Sequence, residues 1–138
     1  MAALLVGVML AWTTALGFAQ DPEERANAIA LTLREVGNSG QSGVASLAET
    51  PRGITFVAIG LDDQTPGVVR SAFIHEGTCA SHGGVMYQLD DVVGGNSSTR
   101  LQVDLNTLKQ QRFAITVHET PEAASPTVAC AQHTPAGT

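Results

Sequence analysis

The sequence predicts an all-β protein, an antiparallel sandwich or barrel of about eight short strands. Three observations predict it. Apolar and polar residues alternate at a period of two along most of the chain, clusters of Gly, Asn, Asp, Ser and Pro separate the alternating runs, and no stretch holds a long helical period.

The first run, "AIALTLREV", puts Ile29, Leu31 and Leu33 on one face and Ala30, Thr32 and Arg34 on the other. A turn, "GNSGQS", leads into "GVASLAET". After "TPR" comes "GITFVAIGL", apolar on both faces like a strand covered on each side. "DDQTPGVV" then breaks the pattern. Asp62-Asp63 here, like Asp90-Asp91 further on, are expected at strand-to-loop edges, where Asp supports turns by bonding nearby backbone. "RSAFIHE", "GVMYQL", "TRLQVDL", "RFAITVHE" and "TVACA" complete the strands. "TRLQVDL" alternates most cleanly, with Leu101, Val103 and Leu105 on one side. "NTLKQQ" is expected to form at most a short helical turn, "VVGGNSS" and "TPEAASP" loops, and "AQHTPAGT" a frayed tail with His133 in solvent. Asn96 of "NSS" matches a glycosylation acceptor, which matters only in a eukaryotic host.

Residues 1–19 read as a signal peptide: "MAALLVGVMLAWTTALGF" has no charged side chain, and Gly17 and Ala19 precede a polar "DPEER". The stretch lacks the usual Lys or Arg near its start, so an uncleaved amino-terminal anchor is the alternative and the chain's one route to a membrane. The expected organisation is a flexible terminus over 20–27, one domain over 28–131 and a flexible tail over 132–138, in a secreted or periplasmic protein. A net charge of −6 without a basic run excludes nucleic acid and anionic membrane surfaces as partners. No apolar stripe identifies a protein partner. Beyond the leader the aromatic residues are Phe56, Phe73, Tyr87 and Phe113, so aliphatic side chains must fill the core. Cys79 and Cys130 are the only cysteines, an even count that in an exported chain indicates a disulfide worth about 4 kcal/mol by loop closure; two free thiols are the alternative.

Candidate chemistry gathers in "SAFIHEGTC" and "FAITVHET", two apolar runs that each end in a His-Glu pair. His75 shares a face with Phe73, and His118 with Ala114 and Thr116, so both imidazoles oppose their strand's best apolar set and are expected at the surface near strand ends. Glu76 and Glu119 face the other way and read as rim charges. Neither Asp pair supplies the oxygen ligands of a calcium site, and no Ser-His-Asp spacing or phosphate loop occurs.

"FIHEGTC", "VHE" and "VAC", in that order, resemble segments of the copper/zinc superoxide dismutases, and "GNSGQSGVASLAET" resembles that family's first hairpin. The resemblance spans Ala28 to Ala131. Through "IHEG…GGVMYQL" the chain is also similar to chordin-type (CHRD) secreted domains. The dismutase resemblance implies a Greek-key β-sandwich, places His75 and His118 at copper-ligand positions, and pairs Cys79 with Cys130. The departures restrict it. Phe73 stands where the family has its other early copper ligand, and Thr127 where it has a substrate-guiding arginine. Only "ASHGG" separates Cys79 from Val85, too short for the zinc loop, with His82 the single candidate ligand there. The implied protein is a non-catalytic binding or structural module holding one copper ion through His75 and His118, without zinc. The alternative is a minimal copper-only redox enzyme with His82 as third ligand, because copper that cycles between oxidation states needs a site suited to both.

Overall fold

The computed structural model describes residues 27–137; the expected leader and nearly all of the expected flexible terminus lie outside them. The strands are β1 (Ala28–Glu35), β2 (Gly43–Glu49), β3 (Thr55–Leu61), β4 (Val69–Gly77), β5 (His82–Val93), β6 (Asn96–Leu101), β7 (Phe113–His118) and β8 (Thr127–His133). One short helix, α1 (Leu105–Lys109), joins β6 to β7. The chain is all-β, and its antiparallel strands close into a barrel in the order β1-β2-β3-β6-β5-β4-β7-β8.

Alternation builds the interior. Leu33, Leu47, Val57, Ile74, Ile115 and Val117 point inward and are fully buried, while their neighbours on β2 and β3, such as Val44 and Phe56, face solvent. Gly43 is required where β2 meets β3, because a Cβ there would run into the Gly60 carbonyl oxygen. The expected strand "TRLQVDL" ends early, at Leu101. Asp104 caps the helix instead, its Oδ1 accepting from Thr107 N–H at 2.8 Å, and α1 buries Leu105 and Leu108 completely. The apolar spacing that looked like a strand serves a strand end and a one-turn plug.

Three expectations about β5, β6 and β8 are corrected. β5 runs through Val93 and turns at Gly94-Gly95, both with positive φ (57° and 86°), so "VVGGNSS" is a hairpin rather than a loop. Asp90 and Asp91 lie within β5, where the register against β4 shifts between the Arg70–Val92 and Ala72–Leu89 pairs; they form a bulge rather than a strand-to-loop edge. β8 continues through His133, whose Nε2 lies 2.9 Å from the Lys109 carbonyl and whose ring stacks 5.1 Å from Phe113, so this histidine is not in a solvated tail.

Candidate metal centre

β4 and β7 are buried on both faces. Ala72, Ile74, Ile115 and Val117 line the barrel, while Ser71, Phe73, His75, Ala114, Thr116 and His118 form a second buried layer outside it. Each of the eight residues from Ser71 to His75 and from Thr116 to His118 is buried, which corrects the expectation that the two histidines stand at the surface: His75 is 8% exposed and His118 7%.

Two segments cover this layer. The first is the β4–β5 hairpin. Thr78 and Ser81 exchange backbone hydrogen bonds at 3.2 Å, which leaves Cys79 and Ala80 as the tip. The tip lies across the outer face of β7 to reach β8, where Cys79 is joined to Cys130 with a Cα–Cα distance of 5.9 Å. Gln132 Oε1 accepts from the Cys79 N–H at 3.1 Å. Gly77, at φ 101°, makes the bend possible; a Cβ there would strike the Ser81 carbonyl oxygen. The second cover is the 119–126 segment, held by the Ser71 hydroxyl, which donates to the Thr120 carbonyl at 3.1 Å.

Each cover contributes one backbone carbonyl to one imidazole. His75 Nδ1 lies 3.0 Å from the Gly83 carbonyl oxygen, and His118 Nδ1 lies 2.7 Å from that of Ser125. A carbonyl only accepts, so each Nδ1 carries the ring's proton; a neutral imidazole then has a bare lone pair on Nε2. The two Nε2 atoms converge on one group: each is 3.1 Å from the buried hydroxyl oxygen of Thr116. That hydroxyl has one hydrogen and can satisfy one Nε2. The other Nε2 faces an oxygen with nothing to donate. Burial, followed by the neighbouring His82 and His118, holds His75 below its ordinary value of 6.5, against an opposing effect of the Gly83 carbonyl.

Phe73 seals the side of the site. Its ring meets the His118 ring edge-on at 5.3 Å and lies 6.0 Å from that of His75. The position at which the resemblance expects a ligand therefore holds a hydrocarbon wall. His82 opens β5 rather than sitting in a loop, is exposed, and sets its ring 4.4 Å from the His75 ring. Among the described residues, no three His, Cys, Asp or Glu side chains gather as a ligand set. The groups that converge are two imidazole nitrogens and one hydroxyl oxygen, all on buried residues, with no carboxylate among them. Such a set fits a soft monovalent ion in low coordination, Cu(I) before Cu(II), and does not fit the harder divalent cations. Sequence reasoning found the histidines and the cysteine pair but missed Thr116; its place two residues before His118, on the same face, was the available signal.

The chain matches no protein-family model, and no curated protein is significantly similar to it.

Proposed function

We propose that this chain is an extracytoplasmic, superoxide-dismutase-like Greek-key domain that acts as a non-catalytic module holding a single Cu(I) ion between His75 and His118. The carrying observation is the count of hydrogens at the buried cluster. Both Nδ1 protons are committed to backbone carbonyls, so two Nε2 lone pairs share one hydroxyl hydrogen. A cation at the two nitrogens satisfies what the hydroxyl leaves over. The pairing of β3 with β6 and of β4 with β7 supports the Greek-key assignment, and the Cys79–Cys130 bond supports an oxidising location. Among the described residues only two imidazole nitrogens reach the Thr116 hydroxyl, a set better suited to holding Cu(I) than to cycling it.

The test is an anaerobic Cu(I) titration against a chromophoric chelator, with superoxide decay measured on the loaded protein. One equivalent bound without accelerated decay is expected, as is loss of binding in His75→Ala and His118→Ala. Wild-type protein that takes up no Cu(I) overturns the reading. Rapid superoxide decay that disappears in His82→Ala establishes the copper-only redox enzyme in its place.

A further inference from the structure

The two Nε2 lone pairs belong to buried rings, so a cation reaching them must pass a cover. His75 is 8% exposed and His118 7%, Phe73 stands against both rings, and the Cys79–Cys130 bond pins the hairpin tip. On the His118 side the 119–126 segment is tied from several directions. Arg70 Nη1 donates to the Glu119 carbonyl at 2.9 Å, the Ser71 N–H to the Thr120 carbonyl at 3.0 Å, and the Thr120 N–H to Ser125 Oγ at 3.1 Å.

The cover on the His75 side is looser. His75 pairs with Val85 and Gly77 with His82, so Gly83 and Gly84 together oppose Glu76, a bulge that interrupts the β4–β5 ladder. Every residue from Ser81 to Val85 is exposed. A Cβ on Gly83 would come no nearer than 3.9 Å to any neighbour, and one on Gly84 would meet nothing within 4 Å, so there is open space over both. This bulge carries two groups that bear on the site. Gly83 supplies the carbonyl that takes the His75 Nδ1 proton, and His82 sets its ring 4.4 Å from the His75 ring. No described residue hydrogen-bonds a ring nitrogen of His82. An exposed imidazole with open nitrogens thus touches one of the buried pair.

We propose that the bulge at 82–84 is the entry gate for Cu(I), and that His82 is a transfer ligand that takes the ion from a donor outside and passes it inward without staying bound. The inference rests on the Cu(I) reading of the cluster. The two inner nitrogens complete a low coordination by themselves, so the outer imidazole acts on the rate and not on the affinity. A Cu–N bond to His82 forms as the bond to the donor breaks. The bulge then lifts, the Gly83 carbonyl lets go of the His75 Nδ1–H, and the freed ring turns its Nε2 to the ion. Bonds to His75 and His118 form as the one to His82 breaks. Copper remains Cu(I) throughout and both inner rings keep their Nδ1 protons, so neither electrons nor protons change hands.

Stopped-flow transfer of Cu(I) from a chromophoric chelator complex to the disulfide-intact protein, and back to excess chelator, tests it. His82→Ala should slow loading about tenfold and slow release in the same proportion, with the equilibrium affinity unchanged, because a transit ligand lowers one barrier that is crossed in both directions. His82→Met should restore the rate, since a thioether is a soft ligand. The position is exposed, so both variants should melt as the wild type does. Loading of His82→Ala at the wild-type rate overturns the proposal, and so does a loss of affinity in that variant, which makes His82 a ligand of the loaded site. A His82→Met variant no faster than His82→Ala overturns the ligand role. Wild type that takes up no Cu(I) overturns the underlying reading, a result seen without any variant and so distinct from the others.

Discussion

At the scale of single residues, Thr116 decides the character of the cluster. Its hydroxyl is fully buried between two lone pairs, and removing it leaves both nitrogens unsatisfied. Thr116→Val should therefore destabilise the metal-free chain by roughly 1–3 kcal/mol in chemical denaturation, and added Cu(I) should restore more stability to it than to wild type. Phe73 sets a hydrocarbon ring against both imidazoles. Phe73→His puts a nitrogen on the same strand face two residues from His75, and a Cu(II) electron-paramagnetic signal absent from wild type should appear on titration. The pH dependence has a definite sign. Burial lowers the His75 value, so the unfolded chain binds its proton more readily than the folded one. This residue's contribution to stability is fully present above its ordinary value of 6.5 and is lost as pH falls through the lower folded value. Melting temperatures of the metal-free chain should decline as the pH falls below 6.5, and less so in His75→Gln.

At the scale of elements, the β4–β5 hairpin determines whether the second buried layer exists. Strand pairing alone would leave the outer face of β7 wet. The hairpin tip bends across it and is fastened to β8 over a sequence separation of 51 residues. Replacing both cysteines with serine should cost about 4 kcal/mol of stability on the chain-entropy account. It should also weaken Cu(I) binding, because the Gly83 carbonyl that orients His75 belongs to the same hairpin. Gly77→Ala attacks the bend itself, through a positive φ and a collision with the Ser81 carbonyl. Lower thermal stability is expected, with earlier proteolysis at the hairpin. Gly83→Ala is the control: its Cβ would come no nearer than 3.9 Å to any neighbour, an ordinary contact.

At the scale of the molecule, the parts legible in the sequence are those set by local pattern. Alternation and turn chemistry marked a candidate run for each of the eight strands, the sixth three residues too far along, and alternation was cleanest where a strand has one buried and one exposed face. The cysteine count anticipated the cross-link for an equally simple reason. What escaped was set by contacts distant in sequence. Leu105 kept the strand's parity, yet it became helical because Asp104 caps a turn that plugs the barrel. His75 and His118 looked like surface groups because parity gives a face but not what covers that face, and two remote segments supply the cover. Thr116 was passed over because its importance depends on β4 lying beside β7, a neighbour relation that no short window of sequence contains.

The Nδ1 proton of each imidazole goes to a main-chain oxygen, that of Gly83 or of Ser125, and not to a side chain. An amide oxygen is common to all twenty amino acids, so the two covering segments are free to change their letters but not their length. Lineages of this domain should therefore diverge by replacement in these stretches while resisting insertion and deletion. A scanning library across residues 80–84 and 119–126 should show the same asymmetry, with most exchanges tolerated and single-residue deletions releasing one ring or the other.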